Sequence, residues 1–251
     1  MWNDIENITK IGIGKIEMSK KDPFRFFMRS FMAGAYLAMA GILSFSLGAL
    51  FQSNIAVSKT LVAASFGIGL ALIVFLGGEL FTGNCFTTIL PVYTKQNKIA
   101  DIIPAWIICY VGNFVGSAII CACFIGSGAL KDVMVPYLRN SIEAKLSFDV
   151  MQLLLKGILC NFVVCVGTYA GMKIQDSMTK FVFLILIVMV FVLPGFEHCI
   201  ANMGTFTMGF TALQTTIDWS MLPLHMVMST IGNIIGGSLL LGLPIYLTFK
   251  D

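Results

Sequence analysis

The sequence predicts an all-α membrane protein: six transmembrane helices arranged as a 3+3 inverted repeat, with helices 2 and 5 broken at mid-membrane. Three observations carry this prediction. The first is composition: 57% of the 251 residues are hydrophobic and only 12% charged, with a mean hydropathy of +0.89. Soluble domains hold about 45–50% apolar and about 25% charged residues, so the surplus here needs lipid as its solvent. The second is run length, because six apolar runs reach the roughly 20 residues that a bilayer core requires. The third is an internal repeat.

The runs lie at 26–50, 60–93, 101–127, 148–172, 179–215 and 221–248. Residues 1–25 are polar, so no cleavable signal peptide is expected ahead of the first run. They read as a partly amphipathic cytoplasmic segment on the inner membrane surface, with a frayed tail as the other reading. Runs two and five are too long for one crossing. Each carries a Gly-rich polar interruption, "GGELFTGN" at 77–84 and "PGFEHCIAN" at 194–202. Each therefore reads as two half-helices, a break tolerated at that depth only inside protein or beside a water-filled cavity. With the N-terminus inside, eleven Lys and Arg residues fall on inside segments, Lys250 among them. Four fall outside, Lys59, Lys131, Arg139 and Lys145, while Lys156 sits within run four. The excess places both termini in the cytoplasm.

The repeat pairs "YVGNFVGSAI" in run three with "TIGNIIGGSL" in run six, aligning Gly112, Asn113 and Gly116 with Gly232, Asn233 and Gly236. The breaks align through Glu79 with Glu197 and through Asn84 with Asn202. An odd number of crossings per half inserts the halves in opposite senses, with a site expected where the broken helices meet. Glycines four apart let helices approach closely. Features present in both halves should build the frame. Glu79, Glu197, Asn84 and Asn202 are accordingly expected to be structural, the carboxylates serving the free N–H groups that open each second half-helix, with direct contact to substrate as the other reading of the two glutamates. His198 has no such counterpart, since Leu80 takes its place. An ionisable residue at mid-membrane is a functional candidate by default. Lys156 aligns at best with Arg29, and two readings of it stand: facing a conduction path, or snorkelling and paired with an acid. His225 is expected to be interfacial and inert. The seven cysteines lie in apolar stretches without a CxxC spacing, so neither a disulfide framework nor a metal site is expected.

At these residues the chain resembles the formate/nitrite transporter family over essentially its full length, through "GGELFTGN", "YVGNFVGS", "KGILCNFVVC", "GFEHCIANM" and "TIGNIIGGSLLLG" in order. The resemblance implies an aquaporin-like six-helix channel domain over 26–250, assembled as a homopentamer in the inner (cytoplasmic) membrane. Each protomer would hold its own pore for a small monovalent anion, without cofactor, enzyme activity or nucleic-acid partner. It implies His198 as a central proton or hydrogen-bond donor, Thr82 as the loop threonine, Asn161 and Asn233 near it, and Phe66, Leu70, Leu80, Phe81 and Phe191 along an apolar pathway. Thr82 and an asparagine amide would orient the imidazole. Glu79, "GNCFT", Pro194 and Lys156 depart from the formate pattern and draw the chain toward the clostridial hydrosulfide channel branch, with formate and nitrite as further substrates. Proton-coupled formate/nitrite symport is the alternative. Other classes fit less well. An intramembrane enzyme using Cys199 with His198 fails because adjacent helical residues do not face each other. A metal transporter using Glu79, Glu197 and His198 is disfavoured by the basic bias.

Overall fold

The computed structural model describes residues 2–214 and 216–249; Thr215, within run five, and Lys250, at the end of the predicted domain, lie outside them. Every regular element among the described residues is helical. The first is α1 (Trp2–Lys21). Its buried face, Ile5, Ile8 and Ile16, packs on the bundle, so the segment is a docked helix and not a frayed tail. Asp22 caps α2 (Pro23–Leu50), accepting from the Arg25 N–H at 3.0 Å. Asn54 caps α3 (Ile55–Leu76) in the same way. After residues 77–80 come the short helices α4 (Phe81–Thr87) and α5 (Leu90–Tyr93), then α6 (Ile99–Gly126).

The predicted outside loop after run three is itself helical, α7 (Lys131–Leu146). Its buried positions, Met134, Leu138 and Ile142, recur every four residues, a helical period. The chain continues through α8 (Val150–Lys173), α9 (Ser177–Val192), α10 (Cys199–Leu213) and α11 (Leu222–Ile234). A π-helix over Ile235–Gly242 then leads into α12 (Leu243–Phe249).

Among the described residues five stretches are long and apolar enough to cross a membrane: Pro23–Leu50, Ile55–Leu76, Ile99–Gly126, Val150–Lys173 and Leu222–Thr248. Ser177–Val192, at 16 residues, is apolar but shorter. Its Val182, Leu186 and Val190 form an outward apolar stripe, an arrangement that water would penalise and lipid would not. The repeat glycines pack as backbone-to-backbone contacts. A Cβ on Gly116 would strike the Phe31 carbonyl of α2, and one on Gly236 the Ile158 carbonyl of α8. α6 is thus drawn to α2, and the π-helix to α8, by glycines that align in sequence. Surface helices α1 and α7 lie toward opposite ends of α2. Lys15 and Arg29 share Glu79 near one end, and Tyr137 meets Gly48 near the other. Positions 29 and 48 are about 28 Å apart at 1.5 Å per residue.

Candidate functional site: two helix breaks and a buried histidine

Gly77 ends α3 in the left-handed region at φ 79, and Gly195 holds the same conformation, φ 74, after α9. Glycine adopts it without the Cβ penalty. Leu80 and His198, just ahead of the next helices, are extended, and matching contacts hold the chain before them. The Glu79 N–H donates to the Arg29 carbonyl at 3.1 Å, and the Glu197 N–H to the Lys156 carbonyl at 3.4 Å.

The first free N–H of each following helix goes to an asparagine. Asn113 Oδ1 accepts from the Phe81 N–H, and Asn233 Oδ1 from the Cys199 N–H, both at 2.9 Å. Each amide also donates twice. Asn113 Nδ2 reaches the Ser30 and Glu79 carbonyls at 2.7 and 2.9 Å; Asn233 Nδ2 reaches those of Gly157 and Glu197 at 2.8 Å each. This corrects the expectation for Glu79 and Glu197. Their carboxylates turn instead to cations: Lys15 Nζ stands 2.8 Å from Glu79 Oε2, and Lys145 Nζ 2.7 Å from Glu197 Oε2. The same lysines donate to Asn84 Oδ1 at 2.7 Å and Asn202 Oδ1 at 3.0 Å.

The halves differ at the residue that opens each second helix. Leu80 gives α4 no side-chain cap, whereas His198 caps α10 with Nδ1 accepting from the Ala201 N–H at 3.2 Å. An Nδ1 that accepts assigns the neutral ring's proton to Nε2. Nε2 lies 3.2 Å from Thr82 Oγ1, so threonine and imidazole bridge the two breaks. The Phe191 ring lies at 30° to the imidazole with centroids 6.0 Å apart, and its other neighbour is the edge of Phe66. Asn161 does not reach the ring. Its amide donates to the carbonyls of Thr82 at 3.1 Å and Asn233 at 2.6 Å.

Three cavities share walls. A vestibule of about 220 Å³ on the α1 side is lined by Lys15, Arg29, Glu79, Asn84, Leu70 and Leu80 among others. Leu70 and Leu80 also line a central space of about 10 Å³ with His198, Phe66, Phe191 and Leu37. Leu37 and Phe66 in turn line a third, of about 10 Å³, with Ser117, Cys121 and Thr205. Each small space holds about one water. Phe81 lines none of the three; its ring packs edge-on against Tyr110 and Trp106, centroids 5.0 and 6.0 Å away. Lys156 Nζ donates to the Gly195 carbonyl at 3.2 Å and lies 3.6 Å above the Phe148 ring.

The profile of the formate/nitrite transporter family matches residues 3–247. The chain belongs to that family. Among its relatives in the formate/nitrite transporter family is the nitrite transporter NirC of Escherichia coli, 30% identical over 97% of this chain and 91% of the relative. Another is the formate channel BtFdhC of Bacillus thuringiensis, 29% identical over 88% and 85%. Of solved structures, an FNT family ion channel superposes with a TM-score of 0.92 at 25% identity, covering 99% of both chains. A pentameric formate channel with formate bound gives 0.81 at 26%, covering 93% of this chain and all of that one. These relatives are transporters and channels, and this formate/nitrite transporter family chain is a membrane transport protein, not an enzyme.

Sequence reasoning missed Lys15, Lys145, Leu37 and His225. Far from lying at an interface, His225 is 1% exposed, with Nε2 3.5 Å from Glu197 Oε2 and the Phe206 ring edge-on at 5.0 Å. The spacing of Met134, Leu138 and Ile142 was a usable signal for α7, and through it for Lys145.

Proposed function

We propose that the chain conducts small monovalent anions of weak acids, hydrosulfide, formate and nitrite, through a pore in each protomer of a homopentamer, with His198 as the central proton or hydrogen-bond donor. The observation that carries this reading is the row of three cavities, walled off by Leu70 with Leu80 and by Leu37 with Phe66, and centred on His198. In this reading the pore runs from the α1-side mouth, past the apolar walls, to the α7-side mouth. Six crossings form a 3+3 inverted repeat, with α3 and α4 making one broken crossing and α9 and α10 the other. The helix beginning at Phe81 and the one beginning at Cys199 aim positive dipole ends inward. Lys156 takes Arg29's place in the second half and adds positive potential at the far mouth. Both termini lie in the cytoplasm and the pentamer sits in the cytoplasmic membrane.

The chemistry follows from desolvation. An ion entering a space with room for about one water loses most of its hydration, which costs several kcal/mol or more. A proton or strong hydrogen bond from His198 Nε2, held toward the path by Thr82, offsets that cost, and a substrate protonated there moves on as a neutral acid. A metal transporter is disfavoured because each break carboxylate already holds a lysine ammonium within 2.8 Å.

The test is anion uptake by purified protein in liposomes, compared across hydrosulfide, formate and nitrite. Uptake of at least one, above empty liposomes and saturable, is the expected result. Uptake of none of them overturns the reading.

A further inference from the structure

The cations around Glu79 are unequally used. Lys15 spends its ammonium on Glu79 Oε2 at 2.8 Å and Asn84 Oδ1 at 2.7 Å. Arg29 does not. Its Nη2 stands 3.5 Å from Glu79 Oε1, and its Nε is buried with no hydrogen-bond partner among the described residues. Nε is sealed from solvent and is no ligand contact; the vestibule meets the exposed remainder of the side chain. The Arg29 side chain is 37% exposed and helps to line the vestibule of about 220 Å³, far more than the roughly 10–15 Å³ that one water needs. The local balance is two cations against one carboxylate.

The second half has no equivalent fork. Lys156 stands at the aligned place, and its ammonium is given to the Gly195 carbonyl and the Phe148 face. A lysine is a point charge, whereas a guanidinium presents paired N–H groups whose spacing matches two oxygens of one planar anion.

We infer that Arg29 is a recognition residue for planar anions carrying two oxygens, the carboxylate and nitrite class, at the α1-side mouth. The inference rests on reading the chain as a small-anion pore and adds a rank to it. Formate and nitrite engage two N–H groups of the fork at once. Hydrosulfide has a single acceptor atom and gains only the charge. The α1-side mouth therefore selects for formate and nitrite before any ion meets Leu70 and Leu80, and the α7-side mouth does not.

Arg29→Lys separates fork from charge, because it keeps a cation beside Glu79. Two readouts are needed: the KM for influx from the α1 side in oriented liposomes, and the rise in melting temperature of the detergent-purified oligomer with each anion. Losing one charge-assisted bond of a bidentate pair corresponds to about tenfold in affinity. Arg29→Lys should raise the KM for formate and nitrite about tenfold more than that for hydrosulfide, with kcat changing alike for all three. The thermal shift given by formate should fall while that given by hydrosulfide persists. Equal KM changes for the three anions, or no change, overturn the inference. If the unaltered chain carries no anion, the conduction reading fails, and the thermal shifts still decide whether Arg29 binds planar oxyanions. A formate shift undiminished in an intact Arg29→Lys oligomer overturns the site on its own.

Discussion

Asn113 and Asn233 each do three jobs with one amide, joining the first helical N–H after a break to two carbonyls on neighbouring segments. Their importance was legible in the sequence, because both stand beside the repeat glycines. Their job was not. A carboxylate next to a helix start is the ordinary expectation for an anion near free N–H groups, and it drew attention to Glu79 and Glu197. What decided the matter was lysine placement, since Lys15 and Lys145 approach from helices remote in sequence and claim the carboxylates. His225 was misread for the same reason: its partner, Glu197, lies on another element. Truncating Asn233 to Ala orphans the buried Cys199 N–H and the Glu197 carbonyl at about 1–3 kcal/mol per unsatisfied group. An Asn233→Ala oligomer should lose about 3 kcal/mol or more of stability, seen as a lower melting temperature by size-exclusion after heating. Melting within a degree of the unaltered protein would mean that the amide holds nothing.

At the scale of elements, the apolar runs and the two Gly-rich interruptions were readable because their signals are local: length, hydropathy and glycine. Helix α7 was passed over as a loop because charge hid its four-residue period, and the π-helix over Ile235–Gly242 has no composition of its own. Glycines 236 and 237 permit a close approach there, and Ser238 Oγ donates to the Cys85 carbonyl at 2.8 Å. Helix α7 matters because its last turn delivers Lys145 to Glu197, whose side chain is 2% exposed. Removing one partner of a buried ion pair costs about 3–5 kcal/mol, mostly from the charge left behind. Lys145→Met should therefore lower oligomer stability by that order, and Lys145→Met combined with Glu197→Gln should recover most of it. A double variant as unstable as the single one would show that Lys145 acts through packing and not through Glu197.

Across the whole molecule, the segments after Gly77 and Gly195 are held by matching asparagine and lysine contacts, and the residue that opens the next helix differs, Leu80 against His198. The apolar helices and the family could be read from composition, run length and motifs. Of the cavity walls, Phe66, Leu70, Leu80 and Phe191 were named only through the resemblance and Leu37 not at all, because Leu37 comes from α2, Phe66 from α3 and Phe191 from α9, and no local pattern marks residues that meet only in space. If Leu80 and Phe191 bound a dry constriction, selection by size resides in their side chains. Leu80→Ala or Phe191→Ala should admit acetate and lactate, measured as new uptake in liposomes beside unchanged oligomer size; the same exclusion as before would make both residues ordinary core. The central claim is that His198 supplies the proton or hydrogen bond that carries an anion past those walls. Its most direct test is anion flux across pH 5 to 8 through intact oligomers of the unaltered chain, His198→Phe and His198→Asn. His198→Phe should lose the pH dependence of transport, and His198→Asn should conduct without moving protons. A His198→Phe channel that transports with the unaltered pH profile would contradict the claim and leave His198 as a structural cap of α10.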